Sequence, residues 1–501
     1  MKDFKVMNKA NVSSVSPLET NVEPSQQTIN DICEWEIMHG VAIKNSDGTA
    51  RHCPFSLAPM AMKRHVFENL QTVTPLIAKL ISRISEDHDY LQSSLVEMAK
   101  AEPFFGRLME LHEQIHGTHN APLKAARQPL LLMRTDFMDD RVQGAKVIEF
   151  NGIAAGMGPF GQRAQQLHRY VKNQWPKEYN LWAEDKDGAA EDNACLTQLA
   201  QGIATAAHSV HAEFNDSKQP TFLMVVQDKE DNVYDQHLLE VALQEMGIRT
   251  VRRTFGQLSC QLSTGDNNRL VLQDIGGIDV VYLRAGYQYM DYFSPELAEE
   301  KCCHTLSQTR VFIEKHNVAV NATISQQLAT SKTMQMLITM MPAEDFTRWG
   351  MSLDEATQIK RVLAAMLPIN ADTIHWFKTE AVKEEWVLKN QGEGGGHCVF
   401  GEQITERLEQ LKDNEFDAWA LMQRLYPHER NKPTLAVRDG EVTVVNDLVS
   451  EIGLFTAFYN DKPVTDFEGY AGYLVRSKPA QEHEGGIHSG KGILDSITLI
   501  E

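Results

Sequence analysis

The segment WVLKNQGEGGGHCVFGE, from Trp386 to Glu402, sets an apolar run and a lysine before a run of glycines that contains one carboxylate. Backbone amides left bare by glycine can converge on phosphate oxygens, and Lys389 adds positive charge. Glu393 meets phosphate favourably only with a metal ion between them. The stretch reads as a clamp for a magnesium nucleotide, or as a flexible hairpin between two strands, since glycine is the default wherever φ is positive.

Other residues could serve the same chemistry. In KVIEFNG, strand alternation puts Glu149 and Asn151 on one face and Ile148 and Phe150 on the other. Two oxygen ligands so spaced suit a hard cation such as Mg2+, though a solvated polar face has the same pattern. Arg134 and Asp136 alternate likewise in the strand before it. YLVRSK places Arg476 and Lys478 on one strand face, suited to a carboxylate and a phosphate or to the charged edge of a sheet. GMGPFG, from Gly156 to Gly161, matches a dinucleotide fingerprint only weakly, because WPKEYNLWAEDKDG follows where a second strand ending in an acid is needed. GGIHSGKG, from Gly485 to Gly492, has Gly492 where a phosphate loop needs a hydroxyl and no strand before it, so a loop closing over a ligand is the better reading. Together the set supplies magnesium ligands (Glu149, Asn151, Glu393), phosphate cations (Lys332, Lys389, Lys478) and substrate arginines (Arg134, Arg284, Arg476). Such an inventory suits ATP-dependent activation of a carboxylate.

These groups need a scaffold, and 501 residues with 42% hydrophobic content supply two to four domains. A net charge of -20 argues against nucleic acid or an anionic membrane as partner. No run is apolar for long enough to span a bilayer. Residues 1–30 read as a disordered tail. The seven cysteines lack C-x-x-C spacing, which predicts reduced thiols and a cytoplasmic location. Cys302, Cys303 and His304 are adjacent on a helical stretch and so point to different sides, as packing residues do.

Apolar spacing predicts helices from Lys63 to His116. QPLLLMRTDF and AKVIEFNG predict two strands joined by MDDRVQG, with a helix over GQRAQQLHRYVKNQW. TFLMVVQ, DQHLLEVALQEMG, IRTVRRTF and IDVVYLRAG predict an α/β unit of its own over 217–330, with Gly247 stopping its helix. Ser294-Pro295 is expected to open a helix, and Ser352 with Glu355 to box another that ends near Pro368. Short strands around the glycines and in TLAVRDGEVTVVNDLVSEIGLF make the last third α+β.

In this order VIEFNGIAAGMG, NVYDQ, RRTF, VVYLRAGY, QLATSK, VLKNQGEGGGHCVFGE, SEIGLF and the run from YLVRSK to EHEGGI resemble eukaryotic-type glutathione synthetases. The resemblance covers about residue 31 to the end. It implies an α+β/α/β ATP-grasp fold with a helical N-terminal part (31–216), an inserted small α/β substrate domain (217–331), and a second ATP-grasp part (332–501) with a glycine-rich lid at about 385–430. It further implies a homodimer that joins γ-glutamylcysteine to glycine with ATP.

Carried over position by position, Glu149, Asn151 and Glu393 would hold Mg2+. Lys332, Lys389, Lys478, Glu393, Gly394, Gly395, Gly396, Phe400, Glu484 and Glu451 would surround ATP, with Met422, Gln423, Arg424 and Leu425 about the adenine. Arg134, Ile153, Ala154, Ala155, Gly156, Glu230, Asp231, Asn232, Gln236, Arg284, Tyr287 and Arg476 would meet the dipeptide, and Ile487 and His488 the acceptor. Arg476, Lys478 and Lys332 would act on the reacting groups. The chain departs from the family pattern in several places. Ala154 and Gly156 stand for serines, His397 and Cys398 for asparagines, Phe400 for a tyrosine and Gln423 for a glutamate. Ile487-His488-Ser489 replaces Val-Ala-Ala, a segment that also varies in legume relatives using β-alanine. Two alternatives follow: a different amine acceptor, or a nucleotide-binding protein without catalysis.

Overall fold

The protein is described by a computed structural model over residues 23–293, 299–392, 398–483, 485–488 and 490–501, without the side chains of 299–304. Ser294-Pro295, the centre of the glycine run (393–397), Glu484 and Ser489 lie outside the described residues, as do the side chains of Cys302, Cys303 and His304.

Helix α1 (Gln26–Met38) starts inside the stretch 1–30 expected to be a tail, because Ser25 accepts from the Thr28 amide at 3.1 Å and Ile29 and Ile32 are buried. Strand β1 (Phe55–Ser56) follows, and then the helices that apolar spacing predicts: α2 (Arg64–Ser85), α3 (His88–Ala101) and α4 (Pro103–His116). Phe67, Leu70, Val73, Ile77, Ile81 and Ile84 form the buried stripe of α2. Asp87 caps α3, accepting from Tyr90 N at 3.1 Å, and Pro103 opens α4.

Strands β2 (Gln128–Asp140) and β3 (Gly144–Asn151) form a hairpin longer than expected, which absorbs most of MDDRVQG. Asp140 fixes its turn by accepting from Val142 N and Gln143 N, both at 2.9 Å. Register pairs Arg134 with Asn151 and Asp136 with Glu149. Helix α5 (Gly158–Gln174) begins inside GMGPFG, and α6 (Cys195–Ala212) packs beside it.

Strand β4 (Thr221–Val225), helix α7 (Val233–Glu245), strands β5 (Arg249–Arg253) and β6 (Val280–Leu283), helix α8 (Glu299–Glu314) and strand β7 (Ala319–Asn321) make the α/β stretch. Gly247, at φ +78°, follows the end of α7 as the sequence predicts. The stretch does not have a sheet to itself. Parallel pairing of Ala319 with Gln128 joins β7 to β2, so the order β5-β4-β6-β7-β2 runs on through the centre of the molecule.

Helices α9 (Ile324–Ala329) and α10 (Lys332–Met340) lead away from that junction. Helix α11 (Leu353–Val362) has the expected Ser352/Glu355 box but stops short of Pro368. Met366 is instead claimed by β8 (Met366–Pro368), where it pairs with Met422. Helix α12 (Ala371–Thr379), strands β9 (Trp386–Asn390) and β10 (Cys398–Phe400), helix α13 (Glu402–Gln410) and strand β11 (Trp419–Gln423) complete an antiparallel sheet of order β8-β11-β9-β10. One face packs Phe377, Leu388, Ile404, Leu408 and Leu421 under α12 and α13. The other packs Met336, Met366, Val387, Met422 and Leu425 toward Met138 and Ile148 of the hairpin.

Strands β12 (Thr434–Arg438), β13 (Glu441–Val445), β14 (Leu448–Tyr459), β15 (Tyr470–Pro479) and β16 (Ile493–Asp495) finish the central sheet, whose order continues β2-β14-β15-β16-β1-β12-β13. Strand β15 is interior, between β14 and β16, so Arg476 and Lys478 are not the charged blunting of a sheet edge.

Candidate active site

Four adjacent strands, β3-β2-β14-β15, turn one set of side chains to a common face. Directly opposed pairs share a face, and here the pairs run Asn151–Arg134, Glu149–Asp136, Asp136–Gly453 and Glu451–Arg476. Gly453 is the gap that lets long side chains cross. A Cβ there would lie 2.6 Å from Arg134 Cδ and 2.8 Å from Asp136 Oδ1.

Asp136 is the hub of this face. Its Oδ1 accepts from Arg134 Nε at 2.6 Å, and its Oδ2 from a terminal guanidinium nitrogen of Arg134 at 2.8 Å, with Asn151 Nδ2 and Arg476 each at 3.1 Å. Arg476 also meets Glu451 at 3.1 Å, and Lys478 Nζ meets the same carboxylate at 2.9 Å. Burial alone would raise the Glu451 carboxyl, but Arg476 and Lys478 outweigh it and hold the group below its ordinary value.

Two lysines close the face from other elements. Lys332 stands at the first position of α10, after the Ser331 cap, and lies 3.0 Å from Glu149 Oε2. Lys389, on β9, donates to the Ile148 carbonyl at 2.9 Å. Burial pushes Glu149 up; Lys332, Lys389 and Arg134 override it and hold the carboxyl well below the usual range. Its side chain still keeps 27% of its surface open, which leaves oxygen accessible to a cation. Asn151 spends its amide nitrogen on Asp136 and the Arg134 carbonyl, so its oxygen is the group left to donate. Hard oxygens beside fixed lysines fit Mg2+ in a polyphosphate site.

Arg134 joins this cluster to a second one. Its terminal nitrogen donates to the Gly156 carbonyl at 3.1 Å, while Arg284, just past β6, pairs with Asp235 at 2.9 Å. Met157 N donates to the same Asp235 oxygen at 3.0 Å, so the loop after β3, with Ile153, Ala154 and Ala155, is pinned beside Arg284. A Cβ on Gly156 would come within 2.4 Å of the Arg284 guanidinium, so glycine here lets the arginine sit closer than serine would. Burial lowers the Arg284 pKa, but Tyr282, Asp235 and Glu230 more than restore its charge. Gln236 donates to Glu230 at 2.6 Å, and Asn232 N to its other oxygen at 3.0 Å. Arg284 Nε, Asn232 Oδ1 and Gln236 Oε1 are buried without hydrogen-bond partners, polar atoms that a ligand would satisfy. The Tyr287 hydroxyl accepts from Gln227 at 2.8 Å, and burial pushes its pKa up to about 12. Ile487 is buried, and His488 Nδ1 lies 3.4 Å from Asp231, whose carboxyl it helps hold down.

The sheet β8-β11-β9-β10 brings Phe400 onto His483, with ring centroids 4.2 Å apart at 9°. Arg424 covers Phe400 at 5.2 Å, and Lys478 Nζ donates to the His483 carbonyl at 2.9 Å. Met422 and Gln423 end β11, and Leu425 packs beside Met422. Expected positions Glu393 to Gly396 and Glu484 are outside the described residues. Sequence reasoning gave Asp136 no role and did not single out Asp235, Gly453 or His483; only Asp136 carried a signal, its alternation with Arg134. A cavity of about 1310 Å³ lies elsewhere, lined by Gln71, Leu76, Gln166 and Tyr470 among others. It holds none of the charged cluster.

The family model described as eukaryotic glutathione synthase, ATP binding domain, matches residues 23–499. The chain is 28% identical to the chloroplastic glutathione synthetase of Solanum lycopersicum, over 97% of this chain and 86% of that protein. It is also 28% identical to the glutathione synthetase of Homo sapiens, over 90% and 91%. A solved glutathione synthetase-like effector from Globodera pallida, in its apo form, has the same fold, at a TM-score of 0.69 and 18% identity over 96% of this chain and 99% of that one. With the family model matched over residues 23–499 and an α+β fold to carry the site, the chain belongs to the eukaryotic glutathione synthase family.

Proposed function

We propose that the chain joins γ-glutamylcysteine to glycine at the expense of ATP, forming glutathione, ADP and phosphate. The observation that carries this is the convergence of Arg134, Lys332, Lys389, Arg476 and Lys478 on Asp136, Glu149 and Glu451, with Arg134 reaching from that cluster into the Arg284 pocket. Among the described residues, five cations against three carboxylates leave an excess of positive charge where a triphosphate would lie.

The chemistry follows from the charges. A carboxylate is a poor acyl donor, so its oxygen first attacks the γ-phosphorus of ATP and ADP leaves. The amine of glycine then attacks the acyl carbon, the amine proton is lost, and phosphate departs. Lys332, Lys389 and Lys478 neutralise the phosphoryl oxygens, and Arg476, held by Asp136 and Glu451, is aimed at the oxyanion of the tetrahedral intermediate. Glu149 and Asn151, with Glu393, would hold a magnesium ion that offsets triphosphate charge when bound. Arg284, Glu230, Asn232, Gln236 and Tyr287 would bind the dipeptide. Water would hydrolyse the acylphosphate, so the sheet β8-β11-β9-β10 acts as a lid.

A homodimer, a cytoplasmic location and the division 31–216, 217–331 and 332–501 belong to the same proposal; thiols at Cys33, Cys53, Cys195 and Cys260, among the described residues, support a reducing compartment. The test is ADP release from ATP and Mg2+ with γ-glutamylcysteine and glycine, against β-alanine, serine, glutamate and no amine. Glycine should drive turnover, and Glu149→Gln should lower kcat by about 10²-fold or more, the loss expected when a stabiliser of the reacting charge is removed. Turnover with another amine alone would overturn the acceptor, and nucleotide binding with no turnover in any amine would overturn the ligase.

A further inference from the structure

Away from the ligase centre, three imidazoles meet between α3 and α4. His88 opens α3, while His112 and His116 stand one turn apart on α4, and a ring nitrogen of each lies within 4.8 Å of the other two. His88 stacks on His116 with centroids 3.6 Å apart, and His112 lies 4.8 Å from His116. His112 is wholly buried, yet its Nε2 has no hydrogen-bond partner, and neither has His88 Nδ1. Buried polar atoms are rarely left so, because each costs the desolvation of an unpaired group.

Arg127 is the cation nearest in charge effect to His88 and His112. Arg127 is itself answered by Glu86 at 2.9 Å and Glu314 at 3.7 Å, so its positive charge does not stand alone beside the imidazoles. Asp87 and Asp89 add negative charge around His88, against Arg127. Gln92 Nε2, which donates to the Gly117 carbonyl at 2.8 Å, lies 3.4 Å from His112 Nδ1.

We propose that His88, His112 and His116 bind a first-row transition cation, zinc by chemistry, that staples α3 to α4. Three neutral imidazoles are the donors such an ion takes, and with no carboxylate in the set magnesium is disfavoured. The α4 stretch reads HEQIH, whose histidines share a helix face as metal ligands do. Glu113 between them is exposed, so the site lacks a base over the metal and is structural, not hydrolytic. Bonds of about 2.0–2.1 Å place nitrogens roughly 3.4 Å apart around a tetrahedral ion. Ring rotations supply that closure, and half-buried His88 gives the route in.

Cobalt(II) titrated into the metal-stripped full chain, in excess Mg2+, tests this, since magnesium then occupies the oxygen ligands of the ligase centre. One equivalent should bind with the intense visible bands of tetrahedral nitrogen ligation, zinc should displace it, and zinc should raise Tm. His88→Gln, at the half-buried member, should weaken cobalt binding at least tenfold and abolish the zinc-dependent rise in Tm, with ligase activity kept. His112→Gln should do the same, and if it does not fold, His88→Gln decides. Absence of tetrahedral bands in the wild type, or unchanged bands in His88→Gln, would overturn the proposal.

Discussion

Asp136 shows how one residue can set a whole site. Its two oxygens receive Arg134, Asn151 and Arg476, and the acid itself is all but fully buried. Removing one partner of a buried ion pair leaves the other charge uncompensated, a loss of about 3–5 kcal/mol. Asp136→Asn is therefore expected to destabilise the protein by that order in urea denaturation and, by releasing Arg134 and Arg476, to lower kcat/KM for the dipeptide. Wild-type values in both measurements would remove Asp136 from the site. Gly453 makes the complementary case, since what matters there is absence of a side chain. Gly453→Val would drive a Cβ into Arg134 and Asp136, and overpacking of that kind costs about 1–3 kcal/mol. The same displaced arginine should raise KM for γ-glutamylcysteine more than KM for ATP, which steady-state kinetics separates.

Among the elements, the β2-β3 hairpin carries Arg134, Asp136, Glu149 and Asn151, and its turn is tied to the lid through one carboxylate. Asp140 accepts from Val142 N and Gln143 N through one oxygen and from Tyr426 N, at 2.6 Å, through the other. Burial raises its pKa, but these amides win and hold it below the ordinary value. A carboxyl depressed in the folded state contributes stability above its unfolded pKa of about 3.9 and loses it as pH falls through the folded value. Wild-type Tm should therefore fall more steeply below about pH 4 than that of Asp140→Asn, which keeps an acceptor but cannot titrate. Parallel slopes would show that the turn does not depend on the charge. Elements of this kind were legible in the sequence: alternation marked β2, β3 and β15, helical spacing marked α2 to α4, and Ser352 with Glu355 marked α11. Pairing was not. Asp136 meets Arg476 across 340 positions, and no local pattern encodes which strands become neighbours or that Gly453 must leave room between them. For the same reason the α/β stretch looked self-contained, although β7 pairs with β2.

At the scale of the whole molecule, a chain of net charge -20 gathers cations at one site, drawn from the central sheet, from α10 and from the sheet β8-β11-β9-β10. The lid meets the hairpin through Met138 and Ile148 and by the Lys389 bond to the Ile148 carbonyl, and meets the segment after β15 through Phe400 on His483. These contacts, with Tyr426 N on Asp140 and Thr333 N on Gln391, are single ties where the central sheet is held by continuous strand pairs, so the proposed lid is expected to open at lower free-energy cost than that sheet. On the proposed reading, a triphosphate held at once by Lys389 from the lid and by Lys332 and Lys478 from the body would add a tie between the two that neither side supplies alone. Amide hydrogen exchange with and without a non-hydrolysable ATP analogue and Mg2+ reads that tie directly. Protection should rise together in β9, β10 and residues 483–488, while β4 to β6 change little. Lys389→Ala should abolish the gain in the lid and spare part of the gain around Lys478, because the nucleotide would still meet the body. Equal protection of the lid with and without nucleotide would mean that the cleft is already closed, and water would then have to be excluded by the loop around His488 alone.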